Sequence, residues 1–75
     1  MPTQQVSDTV VTAITHEVLP KFGLAYLMDD RDRTWTITRC TKGPGLENIQ
    51  VGQRCQLTLE RIESSTVVRE YQLLS

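Results

Sequence analysis

Thr34-Trp35-Thr36-Ile37-Thr38-Arg39-Cys40 is the stretch whose reading decides the fold. Apolar and polar residues alternate strictly, with Trp35 and Ile37 on one side and threonines on the other. Alternation with period two, carried by β-branched and aromatic residues, is the pattern of a half-buried strand. The acidic and basic run before it, Asp29-Asp30-Arg31-Asp32-Arg33, suits a hairpin loop. Before that loop, Leu24 to Met28 is too short for a helix and rich in strand formers, and Pro20-Lys21-Phe22-Gly23 makes a turn into it. The spacing therefore predicts a hairpin, with strands near 23–29 and 33–40.

Working outward, Thr9 to Leu19 consists mostly of Val, Ile and Thr, which favour strand. A helical pattern competes there. Val6, Val10, Ile14 and Val18 recur every fourth residue, Ser7 or Asp8 suits a helix cap, and Pro20 suits its stop. The threonines between the valines weigh towards a strand over 9–18. On the carboxyl side, Thr41 to Gly52 contains Gly43-Pro44-Gly45 and reads as a long connection, with Leu46, Ile49 and Val51 dipping back to plug one end of the core. Cys55, Leu57 and Leu59 then alternate with Arg54, Gln56, Thr58 and Glu60 in a strand near 53–62. Glu63-Ser64-Ser65 turns the chain into a last strand near 66–74, with Val67 or Val68, Tyr71 and Leu73 as core contacts.

Five short strands with one long connection after the third predict an all-β fold, a small five-strand antiparallel barrel. Closure removes the exposed edges that so short a sheet otherwise leaves. The expected organisation is a flexible amino terminus over 1–7 and a single barrel domain over 8–75. Leu27, Ile37, Leu57 and Leu59 are the expected core.

The residues at this point resemble a known family. Gly23-Leu24-Ala25-Tyr26-Leu27 followed by Asp29-Asp30 resembles the Gly-Phe-Gly-Phe-Ile strand and acidic turn of cold-shock domains. Thr34-Trp35-Thr36-Ile37-Thr38 stands where that family has its Val-Phe-Val-His strand. Val51-Gly52-Gln53-Arg54-Cys55-Gln56-Leu57-Thr58-Leu59-Glu60 is similar to its Glu-Gly-Gln-x-Val-x-Phe-x-Val-Glu stretch. The likeness spans roughly residues 9–74 and implies an OB-fold-like barrel. It also implies binding of single-stranded RNA or DNA, with outward aromatics of the second and third strands stacking on bases. The chain departs from the pattern where Leu24 replaces one aromatic and Thr38 replaces the histidine. Whether Trp35 faces outward or inward turns on a one-residue register.

On this reading the nucleic-acid face comprises Lys21, Phe22, Leu24, Tyr26, Arg33, Trp35, Arg39 and Lys42, the rings for bases and the cations for phosphates. A Phe22–Tyr26–Trp35 cluster is the expected heart of it. A protein partner or a second copy docking on the same patch is the alternative, because tyrosine and tryptophan are also enriched at protein interfaces.

Composition narrows the remaining classes. A chain of 75 residues buries only about 60% of its extended surface and has no room for a cleft between two lobes. The net charge is −1, with residues 21–54 locally basic at +2. His16 is the only histidine, and no nucleophile is placed beside it by spacing, so no catalytic role is expected. Cys40 and Cys55 make no Cys-x-x-Cys pair for a metal and are expected as free, partly buried thiols, although neighbouring strands would also allow one bridge. Asp29, Asp30 and Asp32 lack the glycine and closing glutamate of a calcium loop, and Gly43-Pro44-Gly45 lacks the spacing of a phosphate loop. No metal or cofactor is expected. The longest apolar run, Leu24 to Met28, falls far short of the roughly 20 residues that span a membrane. The polar start Met1-Pro2-Thr3-Gln4-Gln5 points to a cytoplasmic location.

Overall fold

A computed structural model describes residues 9–74 of the chain. The expected flexible terminus over 1–7, and Ser7 or Asp8 as a helix cap, lie outside the described residues. Five strands follow in order: β1 Thr9–Leu19, β2 Leu24–Asp29, β3 Thr34–Thr38, β4 Arg54–Ile62 and β5 Ser65–Leu73. Two 3-10 turns, Pro20–Phe22 and Leu46–Asn48, stand in the connections. The segment with two competing patterns, 9–19, is strand throughout.

The strands form one antiparallel sheet in the order β3-β2-β1-β4-β5. Its two outer strands approach each other where Lys42 and Glu70 make an isolated parallel bridge, and the Tyr71 N–H donates to the Lys42 carbonyl at 2.9 Å. The result is a nearly closed OB-like barrel. Strand β1 makes it possible by serving both halves of the sheet. Thr9 to Ile14 pair with β4, whereas Ala13 to Leu19 pair with β2, with a register shift between Thr15 and Glu17. An extra residue on one strand bends it and increases its twist, which carries the strand around the barrel.

Inward positions follow the alternation of the sequence. Ala25, Leu27, Ile37, Cys55, Leu57 and Leu59 are all buried, and Tyr71 joins them from β5. Leu46 and Ile49 close one end of the core, as expected of the long connection. Val51 does not: it is 68% exposed. The Gln53 N–H donates to the Gln50 carbonyl at 2.9 Å and Gly52 has φ 91°, so Gln50 to Gln53 form a turn with Val51 at its tip. On β5, Val68 packs on the core and Val67 faces out, because the ladder shifts register beside Thr58 and Leu59. Strand β3 ends at Thr38, two residues before the expected limit. There the Thr38 N–H donates to Thr41 Oγ1 and its own hydroxyl accepts from the Cys40 N–H, turning the chain away. Cys40 is exposed and Cys55 buried, and both are free thiols.

Candidate nucleic-acid interface

The β2–β3 ladder pairs Leu24 with Thr38, Tyr26 with Thr36 and Met28 with Thr34. These residues alternate with the buried Ala25, Leu27 and Ile37, so they share the outer face of the barrel. Leu24, Tyr26 and Met28 are half-buried there. At the Gly23 end of this face the 3-10 turn presents Phe22, which is 74% exposed, next to the exposed Lys21.

Gly23 fixes how this end is built. Its φ of 69° is left-handed, it caps the turn by donating its N–H to the Pro20 carbonyl at 3.0 Å, and its carbonyl accepts from the Arg39 N–H at 3.0 Å. The Arg39 guanidinium lies over the space where a Cβ would stand on Gly23. A side chain there is strained by the left-handed φ, while the guanidinium, the end of an exposed flexible chain, can move aside. The backbone bond keeps Arg39 beside the turn that carries Lys21 and Phe22. Of the residues expected from sequence, Leu24 and Tyr26 thus share the outer face of β2, and Lys21, Phe22 and Arg39 stand at the Gly23 end of that strand.

Arg33 and Trp35 go elsewhere. Trp35 pairs with Leu27, on the inward side, and is half-buried against the core. Tyr26 and Trp35 therefore lie on opposite faces of the ladder, and the Phe22–Tyr26–Trp35 cluster does not assemble. The indole N–H donates to Asp29 Oδ2 at 2.9 Å, and the Arg33 guanidinium sits 5.3 Å from the ring centroid while its Nε donates to the same oxygen at 2.8 Å. Asp29 Oδ1 accepts from the backbone N–H groups of Arg31 at 2.9 Å and Arg33 at 3.0 Å. Burial pushes the Asp29 carboxyl up. The hydrogen bonds from Trp35, the two backbone groups and the Arg33 side chain outweigh that, holding it well below the usual carboxylate range. Lys42 is exposed and lies in the connection that bridges to Glu70.

Sequence alone puts Asp29 in the charged hairpin loop, whereas it is the buried last residue of β2 and organises that loop. The signal was present in the alternation itself, because Ala25, Leu27 and Asp29 share one parity along β2.

Among the described residues no group of three or more His, Cys, Asp or Glu side chains is placed to hold a metal ion. No helix among them is long and apolar enough to cross a membrane. The chain matches no family model, no curated protein and no solved structure.

Proposed function

We propose that this chain is a non-catalytic binding module for single-stranded RNA or DNA, acting through the outer face of β2–β3 and the turn before it. Phe22 carries the reading. A phenylalanine left 74% exposed on a small barrel, with Lys21 beside it and the Arg39 backbone bonded to the neighbouring Gly23, supports a role as a stacking ring with cations nearby for phosphates. Tyr26 supplies a second ring further along the same face, and Leu24 a flat apolar surface between the two. Base stacking of this kind tolerates any sequence, because every base has a π-face. The cold-shock likeness, which rests on the sequence segments alone, supports the same reading. The free thiols Cys40 and Cys55 suit a reducing cytoplasmic setting.

The test is a titration of labelled, mixed-sequence single-stranded oligonucleotides at low salt, read by fluorescence anisotropy. Phe22→Ala and Tyr26→Ala are each expected to weaken binding by about 1–3 kcal/mol with the fold intact. Arg39→Ala is expected to reduce the salt slope by roughly 0.7, the contribution of one phosphate contact on a single strand. Undetectable binding of RNA and DNA at low salt would refute the proposal and leave a protein-docking barrel as the better reading.

A further inference from the structure

Among the described residues, strand β1 has an edge that no other strand covers. Its first half pairs with β4 through Thr9 to Ile14, but pairing with β2 begins only at Ala13, opposite Asp29. Beyond Asp29 the chain leaves the sheet as the charged loop. On the β2 side, residues 9–12 therefore face no strand among the described residues.

The direction of the backbone groups follows from one residue. Thr15 donates its N–H to the Gln53 carbonyl and accepts from the Gly52 N–H, each at 2.8 Å, on the β4 side of the strand. Alternate residues of an antiparallel strand bond to the same edge. Thr9, Val11 and Ala13 thus bond towards β4, and Val10 and Thr12 turn their N–H and C=O groups to the open edge.

That edge borders a groove of about 690 Å³. Val10, Ile14 and Met28 line it as apolar surface, and Arg31 and Arg54 flank it. Val10 and Ile14 are each 51% exposed. Arg33 also borders the groove but is engaged by Asp29, and the exposed Asp30 on the same rim leaves Arg31 and Arg54 a net +1 there. Among the described residues Arg31 and Arg54 form no ion pair. Proteins blunt open edges with charge, proline or bulges. From Thr9 to Thr15 this strand carries no charge, no proline and no glycine.

We propose that the groove takes an extended, acidic segment of a partner protein, added as a strand antiparallel to β1 in the line of β2. Its backbone pairs with Val10 and Thr12, its apolar side chains cover Ile14 and Met28, and its carboxylates meet Arg31 and Arg54. Strand addition of this type draws affinity from main-chain hydrogen bonds and specificity from alternate side chains. A DNA backbone answers only half of the open edge, since phosphates accept from the N–H groups and leave the carbonyls unpaired, and in RNA only the 2′-hydroxyl can donate to them. A second copy docked through the same edge brings a second set of these arginines to the groove. The site touches the β2–β3 face at Met28, but Phe22, Tyr26 and Arg39 lie outside it, so either proposal can fail alone.

The experiment is amide hydrogen exchange read by NMR on the full chain, with peptides of about six residues. They have the form Thr-Val-Thr-Glu-Thr-Glu, or the same with Lys for Glu, so that apolar and charged side chains share one face, as Ile14 and Arg54 do. The Glu peptide is expected to slow exchange at Val10 and Thr12 by about tenfold or more, while the Lys peptide and a backbone N-methylated Glu peptide do not. Arg31→Glu combined with Arg54→Glu is expected to abolish the effect with the Leu57 amide still protected, and Phe22→Ala to leave it unchanged. Equal protection by the Lys peptide, or none by the Glu peptide at millimolar concentration, overturns the proposal. So does protection of the same two amides by a single-stranded oligonucleotide, or by raising the protein concentration alone.

Discussion

The indole N–H of Trp35 donates to Oδ2 of Asp29 at 2.9 Å, a bond that spans the β2–β3 hairpin from the last residue of one strand to the second of the next. The same carboxylate takes three further donors, two from the loop backbone and one from Arg33. Asp29→Ala leaves all four without their acceptor, so it is expected to lower the melting temperature more than Asp30→Ala or Asp32→Ala in the same loop. Trp35 fluorescence in the folded variant is expected to shift to longer wavelength as the indole turns to water.

Acid dependence gives an independent check. The folded-state pKa of Asp29 lies below its unfolded value of about 3.8, so the stability it contributes is present above that value. It is lost as pH falls towards the depressed folded value. The difference in melting temperature between the parent and Asp29→Asn should be constant above about pH 5 and shrink steadily at lower pH. A difference that grows on acidification contradicts the assignment.

Tyr71 locks the long connection onto β5. Its hydroxyl accepts from the Gly45 N–H at 2.9 Å, and its ring fills the space where Gly43 would carry a Cβ. Tyr71→Phe is expected to cost about 0.5–1.5 kcal/mol, one hydrogen bond with packing retained. Gly43→Ala is expected to cost about 1–3 kcal/mol through overpacking against the ring. Urea denaturation of the two variants reads both values.

Core and turn substitutions should separate cleanly. Leu27, Ile37 and Leu57 are fully buried, and truncating any of them to alanine is expected to cost about 2–5 kcal/mol. Val51→Ala, at the tip of an exposed turn, is expected to stay within about 0.5 kcal/mol of the parent. The same denaturation series measures both.

Much of the barrel was legible in the sequence because one face of each strand is buried, which forces an alternation that residue types reveal. Trp35-x-Ile37 and Cys55-x-Leu57-x-Leu59 both point inward as their spacing implies. The β-branched residues of 9–19 decided correctly against the helical pattern. What the pattern could not carry was register and turn geometry. Trp35 was wanted on the outer face by the family likeness and on the inner face by its alternation with Ile37, and the pairing with Leu27 settled it inward. Val51 looked like core until the Gln50–Gln53 turn is seen to lift it out. Asp29 reads as part of the charged loop, and only its inward parity with Ala25 and Leu27 marks it as buried. The candidate site was legible in half: the turn and the outer face of β2 came together, while Trp35 and Arg33 serve the hairpin.

The seam between β3 and β5 has a consequence for how this protein moves. Four of the junctions around the barrel are ladders, but β3 and β5 share no ladder among the described residues: their side chains border a common groove, and the nearest backbone pairing is the Lys42–Glu70 bridge beyond the end of β3. Local opening follows the least protected boundary, so the barrel should part along this line, the β2–β3 hairpin swinging away while β1, β4 and β5 stay paired. Thr34 and Thr36, whose N–H groups turn to the seam while Arg33 and Arg39 bond towards β2, would then exchange their amide hydrogens well before Ala13 and Leu57. A mobile flap on a fixed three-strand base lets the β2–β3 face adjust its curvature to whatever lies on it without unfolding the core.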